Sequence, residues 1–170
     1  MKKLLPIALA CCLSLTGVTE TQSPAAAKQL VGLWRLVRIE VRHPKGTTTT
    51  DPDFGANSIG YISYDQTGHV TVQIMNPDLP KWKAVDYPTA AEALSTIEHG
   101  FSAYAGTYEV HEAEGYILHR LELALMPNYV GQTWKRKFTL EGGLLSLTPP
   151  AFNSVSGELV DETLIWERVR

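Results

Sequence analysis

Short runs in which apolar and polar residues alternate recur along almost the whole chain, and this restricts it to a sheet. Side chains on a strand point to opposite faces in turn, so period-two runs are half-buried strands. Such runs cover residues 33–42, 58–64, 69–75, 107–111, 116–125, 133–140, 144–148 and 159–169. Turn-forming clusters separate them, among them Asp65-Gln66-Thr67-Gly68 and Glu141-Gly142-Gly143. Eight strands in hairpin order predict an all-β, antiparallel up-and-down barrel. The first strand follows Gly32-Leu33-Trp34 and the last ends at Trp166-Glu167-Arg168-Val169. If those two meet, the sheet closes and no edge is left unpaired. An eight-stranded barrel has room for its own side chains or for one small ligand.

The alternation is interrupted once by a helical period, between the third and fourth strands. Thr89 and Glu92 have capping-box spacing, and Ala90, Ala93, Leu94, Ile97 and Phe101 follow at helical intervals. This predicts one inserted α-helix ending between Gly100 and Gly106. Its stripe can pack across an end or side of the barrel. Pro77 and Pro80 keep the segment before it out of the ladder, since proline has no amide donor.

The N-terminus has the form of an export signal. Lys2 and Lys3 precede an apolar stretch from Leu4 to Leu15, and small or polar residues follow. Residues 1–27 are therefore expected to be a signal peptide with a short linker, and 28–170 the barrel domain. The expected location is the periplasm or the extracellular space. Cys11 and Cys12 are the two cysteines and lie in the leader. A chain cut after them has no thiol for disulfides, nucleophilic catalysis or zinc. Association with a membrane would require lipidation at Cys11 or Cys12. The net charge of −3 comes with no basic stripe, which argues against a nucleic-acid partner. The five histidines show no metal-ligand spacing, and no cofactor motif is present.

Two strands carry polar residues on an apolar face. Ile117, His119, Leu121, Leu123 and Leu125 share one side of the run at 116–125, and Trp134, Arg136, Phe138 and Leu140 share one side of the run at 133–140. Both sides are expected to face the interior. An inward arginine stays charged and must be paired. If the Trp34 face of the first strand is also inward, Glu40 can pair Arg136. Alternatively the planar guanidinium meets a ligand carboxylate or carbonyl. His119 is either a neutral core histidine or a proton donor or acceptor at a ligand.

In sequence the chain resembles the bacterial and fungal lipocalin-like domain family. The resemblance is carried by Leu30-Val31-Gly32-Leu33-Trp34-Arg35-Leu36-Val37, Gly60-Tyr61-Ile62-Ser63-Tyr64, Val72-Gln73-Ile74-Met75-Asn76-Pro77-Asp78 and Tyr104-Ala105-Gly106-Thr107-Tyr108-Glu109-Val110. It continues in Pro127-Asn128-Tyr129-Val130-Gly131, Leu145-Ser146-Leu147-Thr148-Pro149-Pro150 and Leu164-Ile165-Trp166-Glu167-Arg168-Val169. It implies a calycin-type barrel with a small calyx. Gly32-Leu33-Trp34 is also distantly similar to the glycine-x-tryptophan signature of true lipocalins, where a late arginine covers the tryptophan; here the matching residue is Arg168. A threonine-aspartate-tyrosine signature is not matched, since Val85-Asp86-Tyr87 lies before the helix.

Three functions are compatible with this reading. The first is an exported barrel binding a small lipophilic molecule, with Arg136, His119, Glu40, Trp134, Leu121, Leu123 and Phe138 at the site and Trp34 and Arg168 closing the barrel. The second is a cofactor-free cyclase, isomerase or dehydratase using His119 as acid or base and Arg136 against an oxyanion. The third is an envelope module with a filled barrel that acts through its surface.

Overall fold

A computed structural model describes residues 25–84, 87–154 and 157–170. Residues 1–24 of the expected leader, with Cys11 and Cys12, and the pair Val85-Asp86 lie outside the described residues. In chain order the elements are helix α1 (Ala25–Leu30), β1 (Gly32–Arg42), β2 (Thr48–Thr50), β3 (Ile59–Tyr64), β4 (His69–Met75), helix α2 (Ala90–His99), β5 (Phe101–His111) and β6 (Tyr116–Ala124). A 3-10 turn (Pro127–Tyr129), β7 (Thr133–Glu141), β8 (Leu144–Thr148), β9 (Phe152–Asn153) and β10 (Leu159–Arg168) complete them.

Eight strands, β1, β3 to β8 and β10, form a closed antiparallel barrel in hairpin order. Closure is made by β1 on β10, in a register that places Trp34 opposite Arg168 and Leu36 opposite Trp166. The two short extra strands extend this seam, β2 on β1 and β9 on β10. The core is the inner wall, built from Trp34, Leu36, Ile39, Ile62, Val72, Ile74, Ile117, Leu121, Leu145, Leu147 and Trp166 among others.

The inserted helix is capped as expected: the Thr89 hydroxyl accepts from the Glu92 amide, and the Glu92 carboxylate accepts from the Thr89 amide. It ends at His99, and Phe101 belongs to β5, opposite Met75. The expectation that Phe101 continues the helical stripe is thus corrected. Residues 101–107 pair with β4 in a continuous ladder, which a continuation of the helix could not supply, and Asn76 N–H donates to Gly100 O at 2.7 Å to set the corner. None of the helix's residues is buried. A second, six-residue helix, α1, was not expected. It packs Ala26 and Leu30 onto the barrel, so the folded domain begins at least as early as Ala25.

Two β-bulges change which residues face inward. In β1 the register slips at Val37, so Trp34 and Leu36 point in on one side of it and Ile39 and Val41 on the other. In the β5–β6 pair, Ala105 faces Leu123 and Gly106 faces Leu121, which leaves Glu122 as the extra residue. An extra residue reverses the alternation beyond it. Ala124 therefore joins the core beside Tyr104, and Leu123 turns outward with 59% of its surface exposed.

Candidate functional site

The end of the barrel beneath α1 is sealed. The Arg168 guanidinium lies 4.2 Å from the Trp34 ring centroid, a cation–π contact. Its Nη1 donates to Val31 O at 2.8 Å and its Nη2 to Gln29 O. The Trp34 indole N–H donates to Leu30 O at 2.8 Å. Gly32 has φ +135°, and a Cβ there would stand 2.5 Å from Arg168 Nη1. Only glycine suits both the backbone and the approaching guanidinium. The indole N–H and both terminal guanidinium nitrogens of this cluster are thereby matched by main-chain carbonyls, which is what a closure element requires. A groove of about 820 Å³ runs beside it; of the charges that line it, Arg35 is paired with Glu167 and Arg168 donates to the main chain.

Further along the inner wall lies a polar layer. His119, fully buried on β6, is held between two tyrosines: its Nε2 is 2.9 Å from the Tyr64 hydroxyl and its Nδ1 2.9 Å from the Tyr104 hydroxyl. One ring nitrogen donates and the other accepts. Burial, with the nearby Arg136 charge, pushes the imidazole down to about 3, so it is neutral at physiological pH. Burial also pushes Tyr104 up to about 12 and Tyr64 well above the usual range. The third tyrosine of the group, Tyr108, packs edge-on against Tyr64 and donates its hydroxyl to Asp65 O at 2.9 Å.

Arg136 is on the inner face of β7, between Trp134 and Phe138, both of which pack against the core. Its guanidinium lies 5.0 Å from the Trp134 ring centroid, and Nη1 donates to Lys135 O at 3.2 Å. Its charge is felt by Tyr104, Tyr64, His119 and Glu162, which places it at the centre of the layer. Among the described residues, no carboxylate comes within ion-pair distance of it. Trp134 in turn makes edge contacts with Tyr104 and Tyr129, giving Arg136 an aromatic flank.

The acidic partner expected for this layer was Glu40, and the structure corrects that. The bulge at Val37 turns Glu40 to the outer face, where it pairs with Arg38 at 2.6 Å. The inward acid is Glu162 on β10, two inner-face positions from Trp166. It meets Asp51, a buried residue of the β2–β3 loop whose Oδ1 accepts from the Asp53 and Phe54 amides at 2.9 and 2.8 Å. Burial, then the Asp51 charge, pushes Glu162 up to about 7, and Arg136 works against that rise. Burial raises Asp51 too, against its two amide bonds. Glu162 was legible in principle, because it alternates with Leu164, Trp166 and Arg168. Asp51 carried no local signal, since its neighbours are those of an ordinary turn.

Of the site residues expected from sequence, Arg136, His119, Trp134, Leu121 and Phe138 come together on the inner wall, and Trp34 and Arg168 meet at the sealed end. Glu40 and Leu123 do not, and Leu125 is also turned out beyond the Glu122 bulge. Among the described residues, no three His, Cys, Asp or Glu side chains are placed to hold a metal. Nor is any described helix long and apolar enough to cross a membrane.

A closed eight-stranded calyx with an arginine-capped tryptophan at one end and a polar layer inside is the architecture of the calycins. The chain belongs to the lipocalin-like domain family, whose profile matches residues 31–169. It is also similar to a 4'-hydroxy-3'-methoxypropiophenone carrier protein of Aspergillus oryzae. The two are 22% identical over 107 residues, covering 59% of this chain and 96% of that protein.

Proposed function

We propose that this protein binds and carries a small, mainly apolar molecule inside the barrel, with its oxygen acceptor at Arg136. The observation that carries the reading is an inward guanidinium with no ion-pair partner among the described residues, flanked by Trp134 and Phe138. Ligand pockets of this kind are mostly apolar, with a few placed polar groups that fix orientation. The similar Aspergillus protein is named as a carrier of an aryl ketone, a flat ring bearing oxygen acceptors and a short apolar tail. Such a molecule would suit the same surroundings, ring against Trp134 and oxygen toward Arg136. Export to the periplasm or the extracellular space belongs to the same proposal, on the charged-then-apolar leader.

Acid–base catalysis by His119 finds no support in the geometry. Both its nitrogens are occupied by tyrosine hydroxyls, and none of its surface is open to a substrate. Native mass spectrometry of the protein purified from its own envelope tests the carrier reading. A co-purified organic molecule that is lost from the Arg136→Ala variant is the expected result. A ligand-free protein whose tryptophan emission responds to no apolar probe would refute it.

A further inference from the structure

The polar layer of the barrel holds one guanidinium and two carboxyls, and how each is committed indicates what kind of oxygen Arg136 receives. Two carboxyls in contact in a buried place cannot both ionise freely. Asp51 and Glu162 are such a pair, joined by a side-chain hydrogen bond, and Asp51 is already tied to the Asp53 and Phe54 amides. Their negative charge is therefore turned toward the loop and toward each other. Arg136 donates to one main-chain carbonyl and reaches the Tyr104 hydroxyl, which leaves part of its N–H fork uncommitted, and no carboxylate among the described residues pairs with it. A planar fork with free donors matches a carboxylate in bidentate fashion.

We infer that the barrel selects organic acids over their neutral counterparts: an aromatic carboxylate pairs with Arg136 while its ring rests on Trp134 and Phe138, and the Asp51–Glu162 pair accepts that anion best while it holds its shared proton. This rests on the barrel-binding reading above and adds the charge class of the ligand. The charged groups facing Glu162 are Asp51 and Asp53 from the β2–β3 loop and Arg136 from β7; Asp53 also lies 3.5 Å from His99 Nδ1. When the pair loses its proton, a second negative charge stands near Arg136 and competes with the ligand. Glu162 is raised to about 7, so this loss falls in the neutral range.

The test uses 2-naphthoate and methyl 2-naphthoate, which share one ring system, read by quenching of tryptophan emission. The acid is expected to bind the wild-type protein roughly tenfold or more tightly than the ester at pH 6, the ratio that one charge-assisted hydrogen bond supplies. Affinity for the acid should fall several-fold from pH 6 to pH 8, and ester affinity should not change. Glu162→Gln should flatten the pH dependence and keep the preference for the acid. Arg136→Met should bind acid and ester alike. Equal affinity of the wild-type protein for the two probes would overturn the charge selection and leave the carrier reading standing. A pH-independent acid affinity would overturn the role of the Asp51–Glu162 pair. Failure of both probes to bind would count against the barrel-binding reading itself.

Discussion

The barrel contains two arginine–tryptophan pairs, and they are committed to different extents. At the sealed end, Arg168 covers Trp34 at 4.2 Å and donates to two main-chain carbonyls, while the indole N–H has its own acceptor. Inside, Arg136 lies 5.0 Å from the Trp134 ring, donates to one carbonyl, that of its own neighbour Lys135, and reaches the Tyr104 hydroxyl. The chemistry of the two pairs is the same. In the first, both terminal nitrogens of the guanidinium are anchored on main-chain carbonyls close in the fold, and so it stabilises. The second is left with open donors on an inner wall, and so it can recognise. What separates a closure from a site is how many of an arginine's hydrogen bonds the protein itself completes.

This contrast can be broken experimentally. Trp34→Ala should have the largest effect on stability, a loss of about 3–5 kcal/mol for a buried tryptophan, read by chemical denaturation. Wild-type-like unfolding of that variant would remove the closure role. Glu162→Gln comes next, through pH. The folded-state value of Glu162 lies above the ordinary 4.5, at about 7. The group's contribution is thus fully present below the ordinary value and lost as pH rises through the folded one. Relative to wild type, the variant should gain up to ~3 kcal/mol between acid and neutral pH. His119 acts in the opposite sense: its depressed value makes its contribution present above 6.5 and lost toward acid. With Glu162 gone, stability should therefore fall more steeply on acidification than in the wild type. A variant whose pH–stability curve superimposes on wild type would contradict the buried acid pair.

Gly32→Ala should cost about 1–2 kcal/mol, because φ +135° is strained for alanine and the new methyl meets Arg168. Thermal melts would show it, and the cost should shrink when Arg168 is shortened to Ala in the same chain. Arg136→Met should change stability least, by less than ~1 kcal/mol, since that side chain completes no ion pair among the described residues. A large loss of stability on this substitution would place Arg136 in the same class as Arg168 and end the contrast.

Much of the architecture was legible in the sequence. The strand set was correct to within a few residues for seven of the eight strands, β5 being the exception by starting at Phe101. The first and last strands do close the sheet, and Trp34 does meet Arg168. The site was legible only up to the bulges. Leu121 precedes Glu122 and stayed inward; Leu123 follows it and did not. Glu40 was placed by counting from Trp34 through Val37, the residue at which the count fails.

The sequence by itself determined the period, the turns, the helix cap and the residue types needed to seal one end. These are local properties, set by side-chain alternation and backbone preference over a few positions. Tertiary structure alone decided which acid faces Arg136. A bulge arises from how two strands pair, and whether the residue beyond it points in or out depends on a partner distant in the chain. The encounter of Asp51 with Glu162 crosses 111 residues of sequence and takes place only when β10 closes against β1, bringing the β2–β3 loop over the same inner wall.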